Sequence, residues 1–141
     1  MTRLRRFPLL LVALAALIAA APLAEAAATL TVIVGDDPGE GFNDPTPVAP
    51  VGGNTGVTLG EQRLIAFEHA ANLWGASLDS NVEIFVLAFF DPLPLNVLGR
   101  AGAWSVFANF DPVAPFPGPV FADTWYSSAL ADKRTGADLE V

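Results

Sequence analysis

Between Thr58 and Leu78 the apolar residues recur at alternating steps of three and four: Leu64, Phe67, Ala71, Trp74 and Leu78. That spacing predicts one stripe of an amphipathic helix. Glu61, Arg63, Glu68 and Asn72 fall off the stripe. Thr58 followed by Glu61 has the spacing of a capping box, in which each side chain satisfies an orphan backbone N–H of the first turn. Such a cap contributes about 1 kcal/mol. Gly75 is expected to stop the helix, because glycine takes the left-handed conformation a C-terminal cap needs. Leu78 would then lie just past the end, and Asp79-Ser80-Asn81 would make the turn. From Val82 to Phe90 the period changes to two. Val82, Ile84, Val86, Ala88 and Phe90 share one face, Phe85, Leu87 and Phe89 the other, and Glu83 is the only charge. A strand with one wet face would alternate apolar and polar, so this one is expected to be covered on both sides. Asp91-Pro92 ends it, since proline lacks a ladder donor.

The remaining segments read less sharply. Thr29 to Val34 is a β-branched run and predicts a short strand. Gly35 to Gly56 is dense in Gly, Pro, Asn and Asp and has neither period. Connections this long are usually functional loops or disordered segments, and this one is expected to be mobile without calcium. Trp104, Val106 and Ala108 alternate as a short strand, with Phe107 on its other face. Asp111 to Pro119 is extended and proline-rich, and Val120 to Tyr126 forms a brief strand or turn. Ser127 to Arg134 predicts a short helix, with Lys133 and Arg134 at its carbonyl end and Gly136 as its stop. No internal repeat is present.

Residues 1–26 have the pattern of a secretory signal. Arg3, Arg5 and Arg6 make the basic start, Phe7 to Leu23 the apolar core, and Ala24-Glu25-Ala26 the small-x-small cleavage site. The apolar run is shorter than the roughly 20 residues a membrane span needs. Cleavage would leave residues 27–141 as one domain, secreted or periplasmic, with no membrane partner afterwards. It removes three of seven basic and one of fifteen acidic residues, leaving four against fourteen, a balance of −10. So acidic a product argues against nucleic acid and anionic membranes as partners. There is no cysteine, so neither disulfides nor thiolate chemistry enter.

The chemistry-bearing residues are few. Asp36, Asp37, Glu40, Asn43 and Asp44 could gather oxygens around calcium, which takes six to eight hard ligands. Their spacing does not match an EF-hand loop, and the alternative is a solvated acidic loop. His69 is the only histidine, off the helical stripe beside Glu68. One histidine makes neither an HExxH zinc site nor, without a G-x-S-x-G elbow, a serine triad. Trp104, Phe107, Phe110, Phe116, Phe121, Trp125 and Tyr126 fill core or line a groove for a peptide or sugar ligand. Asp91 and Asp111 precede prolines and read as turn formers. No catalytic or cofactor-binding residue is assigned.

From Gly39 to Trp74 the sequence becomes distinctive, within PGEGFNDPTPVAPVGGNTGVTLGEQRLIAFEHAANLWGASL. This stretch resembles the N-terminal part of secreted bacterial zinc-metallopeptidase-like (zincin) proteins that carry a protease-associated (PA) domain. VEIFVLAFFDPL, VLGRAGAWSVFANF and TWYSSALADKRTGADL continue the likeness in order, over nearly all of residues 27–141. The resemblance implies that these residues are the N-terminal shell of a catalytic domain. The HExxH helix, with its zinc ligands and glutamate base, would follow Val141, so no zinc-site residue carries over. Zinc is expected only in longer relatives. The partners it implies are a downstream zincin segment or the PA domain. Such proteins often carry cysteines after the DPL motif; here the region reads DPLPLNVLG.

The expected fold is α+β, a small mixed sheet carrying one main amphipathic helix, zincin-like and incomplete. Two functions follow from different classes. One is an exported, truncated, non-catalytic portion of a metallopeptidase-like protein. The other is a secreted binding or surface-interaction module using the long loop or the aromatic half as its contact.

Overall fold

The computed structural model describes residues 27–140, so the expected signal over residues 1–26 lies outside it. Strand β1 (Leu30–Val34), helix α1 (Leu59–Ser77) and strand β2 (Ile84–Ala88) form one unit in which β1 and β2 pair in parallel. A parallel pair requires a crossover connection, and α1 supplies it. Leu30 faces Ile84 and Val34 faces Ala88, so Leu30, Val32, Val34, Ile84, Val86 and Ala88 share one face of the sheet. Thr31, Ile33, Phe85 and Leu87 share the other.

The capping box forms as the sequence predicts. Glu61 N–H donates to Thr58 Oγ1 at 3.2 Å, and Thr58 N–H donates to Glu61 Oε2 at 3.1 Å. Gly75 does not stop the helix. It lies inside α1, which runs to Ser77 and ends where Leu78 turns extended with its N–H on Trp74 O. Gly75 is there because the backbone of β1's approach passes against it. A Cβ at this position would stand 2.6 Å from Ala28 O, and Ala28 N–H donates to both Gly75 O and Leu78 O at 3.0 Å. The buried line of α1 is therefore Gly60, Ala71 and Gly75, one position away from the expected Trp74, which is 63% exposed.

The second unit is smaller. Strands β3 (Val106–Phe107) and β4 (Tyr126–Ser127) pair antiparallel, and helix α2 (Ser128–Thr135) follows β4 directly. Gly136, at φ 77°, closes α2 with its N–H on Asp132 O at 2.7 Å. Phe110, Tyr126 and Ala131 make a small core with Phe107 and Leu139 packed on it. The Phe110 and Tyr126 rings meet edge to face at 5.6 Å. The proline-rich segment is laced to α2: Thr135 Oγ1 donates to Asp111 O at 2.8 Å, and Gly118 N–H to Arg134 O at 3.0 Å.

The class is α+β, but the parallel and antiparallel pairs are separate two-stranded sheets rather than one mixed sheet. The expected cover on both faces of β2 is also absent among the described residues: Phe85 is 55% exposed and Leu87 43%. The apolar run in the sequence records what β2 is able to bury, not what the described residues place over it. No described helix is long and apolar enough to cross a membrane.

Candidate functional site

The long loop is tied down, and the ties use the acids named as calcium candidates. A short 3-10 turn (Gly41–Asn43) buries Phe42. Its ring meets Phe67 at 5.5 Å and Phe90 at 5.8 Å, both edge to face. The Asp36 carboxylate accepts the Phe42 N–H at 2.6 Å and the Phe90 N–H at 3.0 Å. One side chain thereby joins the exit of β1, the loop and the exit of β2. Bridges at Pro47–Thr58 and Val51–Asn54 order the rest. The expectation of a structureless segment fails here because Phe42, Asp36 and backbone pairing supply anchors that composition alone does not display.

Arg63 holds the other end of this clasp. Its guanidinium donates to Gly41 O at 2.7 Å and to Asp44 Oδ2 at 3.2 Å, and lies 4.4 Å from the centre of the Phe90 ring. Asp44 also accepts the Thr46 N–H at 2.9 Å. Thr46, through its side chain and its N–H, holds the Asp44 carboxyl below its ordinary pKa; desolvation opposes this, and Arg63 adds a smaller lowering. Asp37 and Glu40 are exposed on the same loop. The five calcium candidates are thus divided: Asp36 bonds backbone amides, Asn43 donates its side-chain amide to Asp36 O, Asp44 bonds a cation, and Asp37 and Glu40 face solvent. Among the described residues no three His, Asp or Glu side chains stand where they could share a metal ion.

His69 is exposed on α1. Its neighbours one turn away are Ile65 and Leu73, which offer no ligand atom. A catalytic zinc site takes three protein ligands and an open water position; among the described residues His69 has no second ligand one helical turn away. The aromatic half divides as well. Phe110 and Tyr126 are buried, while Trp104 is 80% exposed and Trp125 70%.

What the sequence did not single out is a groove between the two units. It is lined by Glu83 just before β2, by Phe85 and Leu87 of β2, by Trp104, and by Ala129 and Asp132 of α2. Asp138 and Glu140 close its rim. Asp132 accepts the Leu139 N–H at 3.0 Å, and burial raises its pKa; the nearby Asp138 adds to the rise, and the Leu139 bond opposes it. Scattered acids with no shared period gave no sequence signal for this grouping.

No protein-family model, no curated protein and no solved structure matches the chain.

Proposed function

We propose that this chain is a non-catalytic, exported portion of a metallopeptidase-like protein, a layer against which further structure packs. The observation that carries the reading is the bare face of the β1–β2 pair. Parallel sheets occur almost only with both faces covered, and a two-stranded sheet is marginal alone. Here Ile33, Phe85 and Leu87 are all more than 40% exposed on one face. A strand this apolar is what a larger domain buries. On the zincin-like resemblance that domain would be a metallopeptidase catalytic domain, with a downstream segment or PA domain as the cover.

The test is zinc titration and casein hydrolysis on this chain and on a longer protein continued into an HExxH segment. The longer protein should bind zinc stoichiometrically and cleave casein, and this chain should do neither. Zinc binding and hydrolysis by this chain, both lost in His69→Ala, would contradict the reading.

A second reading is a secreted binding module. The groove between β2 and α2 favours it, since that groove brings apolar floor, strand edge and charge together.

A further inference from the structure

We propose that the groove between β2 and α2 binds an extended basic–apolar peptide segment of a partner protein, added as a strand to the free edge of β2. The proposal rests on the binding-module reading.

The hydrogen-bond register fixes which groups are available. Ile84 N–H donates to Thr29 O, and Gly35 N–H donates to Ala88 O. The even-numbered residues of β2 therefore turn their backbone groups toward β1. In a parallel ladder, the N–H and C=O of the intervening residues, Phe85 and Leu87, then face the opposite edge. No described strand pairs there, since the sheet has only two members. The groove lies along this edge, because residues from both faces of β2, Ile84 as well as Phe85 and Leu87, contribute to its wall. An exposed strand edge is a template for an added strand, with main-chain bonds for affinity and side-chain pockets for specificity.

The lining then chooses the occupant. Phe85, Leu87 and Trp104 give an apolar floor. Glu83, Asp132, Asp138 and Glu140 give four acids, and none of the lining residues is basic. The nearby cations of α2 are engaged away from the groove, Lys133 with Asp79 and Arg134 with Gly118 O. A strand alternating apolar residues with Lys or Arg would match both features, and an acidic strand would be repelled. The cavity volume of about 200 Å³ is below the roughly 300–1,000 Å³ of small-molecule sites and suits a few side chains of a longer ligand.

The experiment is fluorescence polarisation with the exported chain at concentrations where it sediments as a monomer. The probe is a labelled nine-residue peptide alternating Val and Lys. Its controls are the same peptide with Glu for Lys, and two forms N-methylated at alternate residues in the two registers. The Val/Lys peptide should bind, more weakly at high salt. The Glu peptide should bind at least roughly tenfold more weakly. One N-methylated register should lose binding and the other keep it, because only one register presents its N–H groups to β2. Asp138→Lys with Glu140→Lys, both on exposed positions, should reverse the charge preference without unfolding the chain. Equal binding of both methylated forms, or no effect of charge reversal, would overturn the groove while leaving a binding module elsewhere. No binding of any peptide to the folded monomer, or a peptide-resistant dimer, would overturn the proposal outright.

Discussion

The two faces of the β1–β2 pair are built from similar residues and end in opposite situations. Val32, Val86 and Ala88 lie on the face that α1 covers, where Ala88 is 6% exposed. Ile33, Phe85 and Leu87 lie about half exposed on the other face, where Trp104 and α2 stand only across the groove. The largest side chain of the pair, Phe85, is on the open side. Composition therefore does not decide which face is core; the close approach of α1 does. That approach depends on Gly60, which lies against the loop at Phe42 O, and Gly75, which lies against the chain before β1 at Ala28 O, with Ala71 buried between them. The comparison locates the chain's stability on one side of a sheet and its unmet apolar surface on the other.

The largest break in that contrast should come from the closed side. Phe42 is 5% exposed and joins Phe67 and Phe90. Phe42→Ala should cost about 3–5 kcal/mol in urea unfolding, the range for buried phenylalanine. Gly75→Val should cost about 1–3 kcal/mol by driving α1 away from Ala28 O. Leu87→Ser, on the open face, should change stability by no more than about 0.5 kcal/mol, as exposed substitutions do. Equal losses for Gly75→Val and Leu87→Ser would erase the distinction between the faces.

A smaller effect is expected at Asp132, and its sign follows from its raised pKa. The fold favours the neutral carboxyl, so this contribution is full below the ordinary aspartate pKa and is lost as pH rises through the folded value. Asp132→Asn keeps an acceptor for the Leu139 N–H and removes the charge. Its Tm should exceed that of the parent at pH 7, and the gap should close on acidification. A gap that widens toward low pH would reverse the assignment.

Local signals in the sequence were legible where both partners are near neighbours. Thr58 and Glu61 are three residues apart, and Gly136 follows its helix directly, so cap and stop were readable. The β-branched run, Thr29 to Val34, placed β1 within one residue of Leu30–Val34, and the apolar run placed β2 within two residues at each end. Contacts between distant residues were not readable. Asp36 bonds Phe90, 54 positions away, and looks like any loop acid. Gly75 has the signature of a stop but serves a close approach to Ala28. The groove combines β2 with α2, and nothing in either segment names the other. Hydrogen exchange checks the clasp: the Phe42 and Phe90 amides should be protected in calcium-free buffer. Protection only after calcium is added would restore the loop acids as an ion site.

Among the described residues the core closes on one side of the β1–β2 pair and an apolar face stays open on the other. Sedimentation velocity over rising concentration tests it most directly, on residues 27–141 and on their Phe85→Ser/Leu87→Ser variant. Exposed apolar surface of this kind drives association. The parent should associate with increasing concentration, and the double variant should stay monomeric with an unchanged thermal midpoint. A parent that remains a monodisperse monomer at every concentration and unfolds cooperatively, while the double variant loses stability, would contradict the claim and show that the chain buries that face itself.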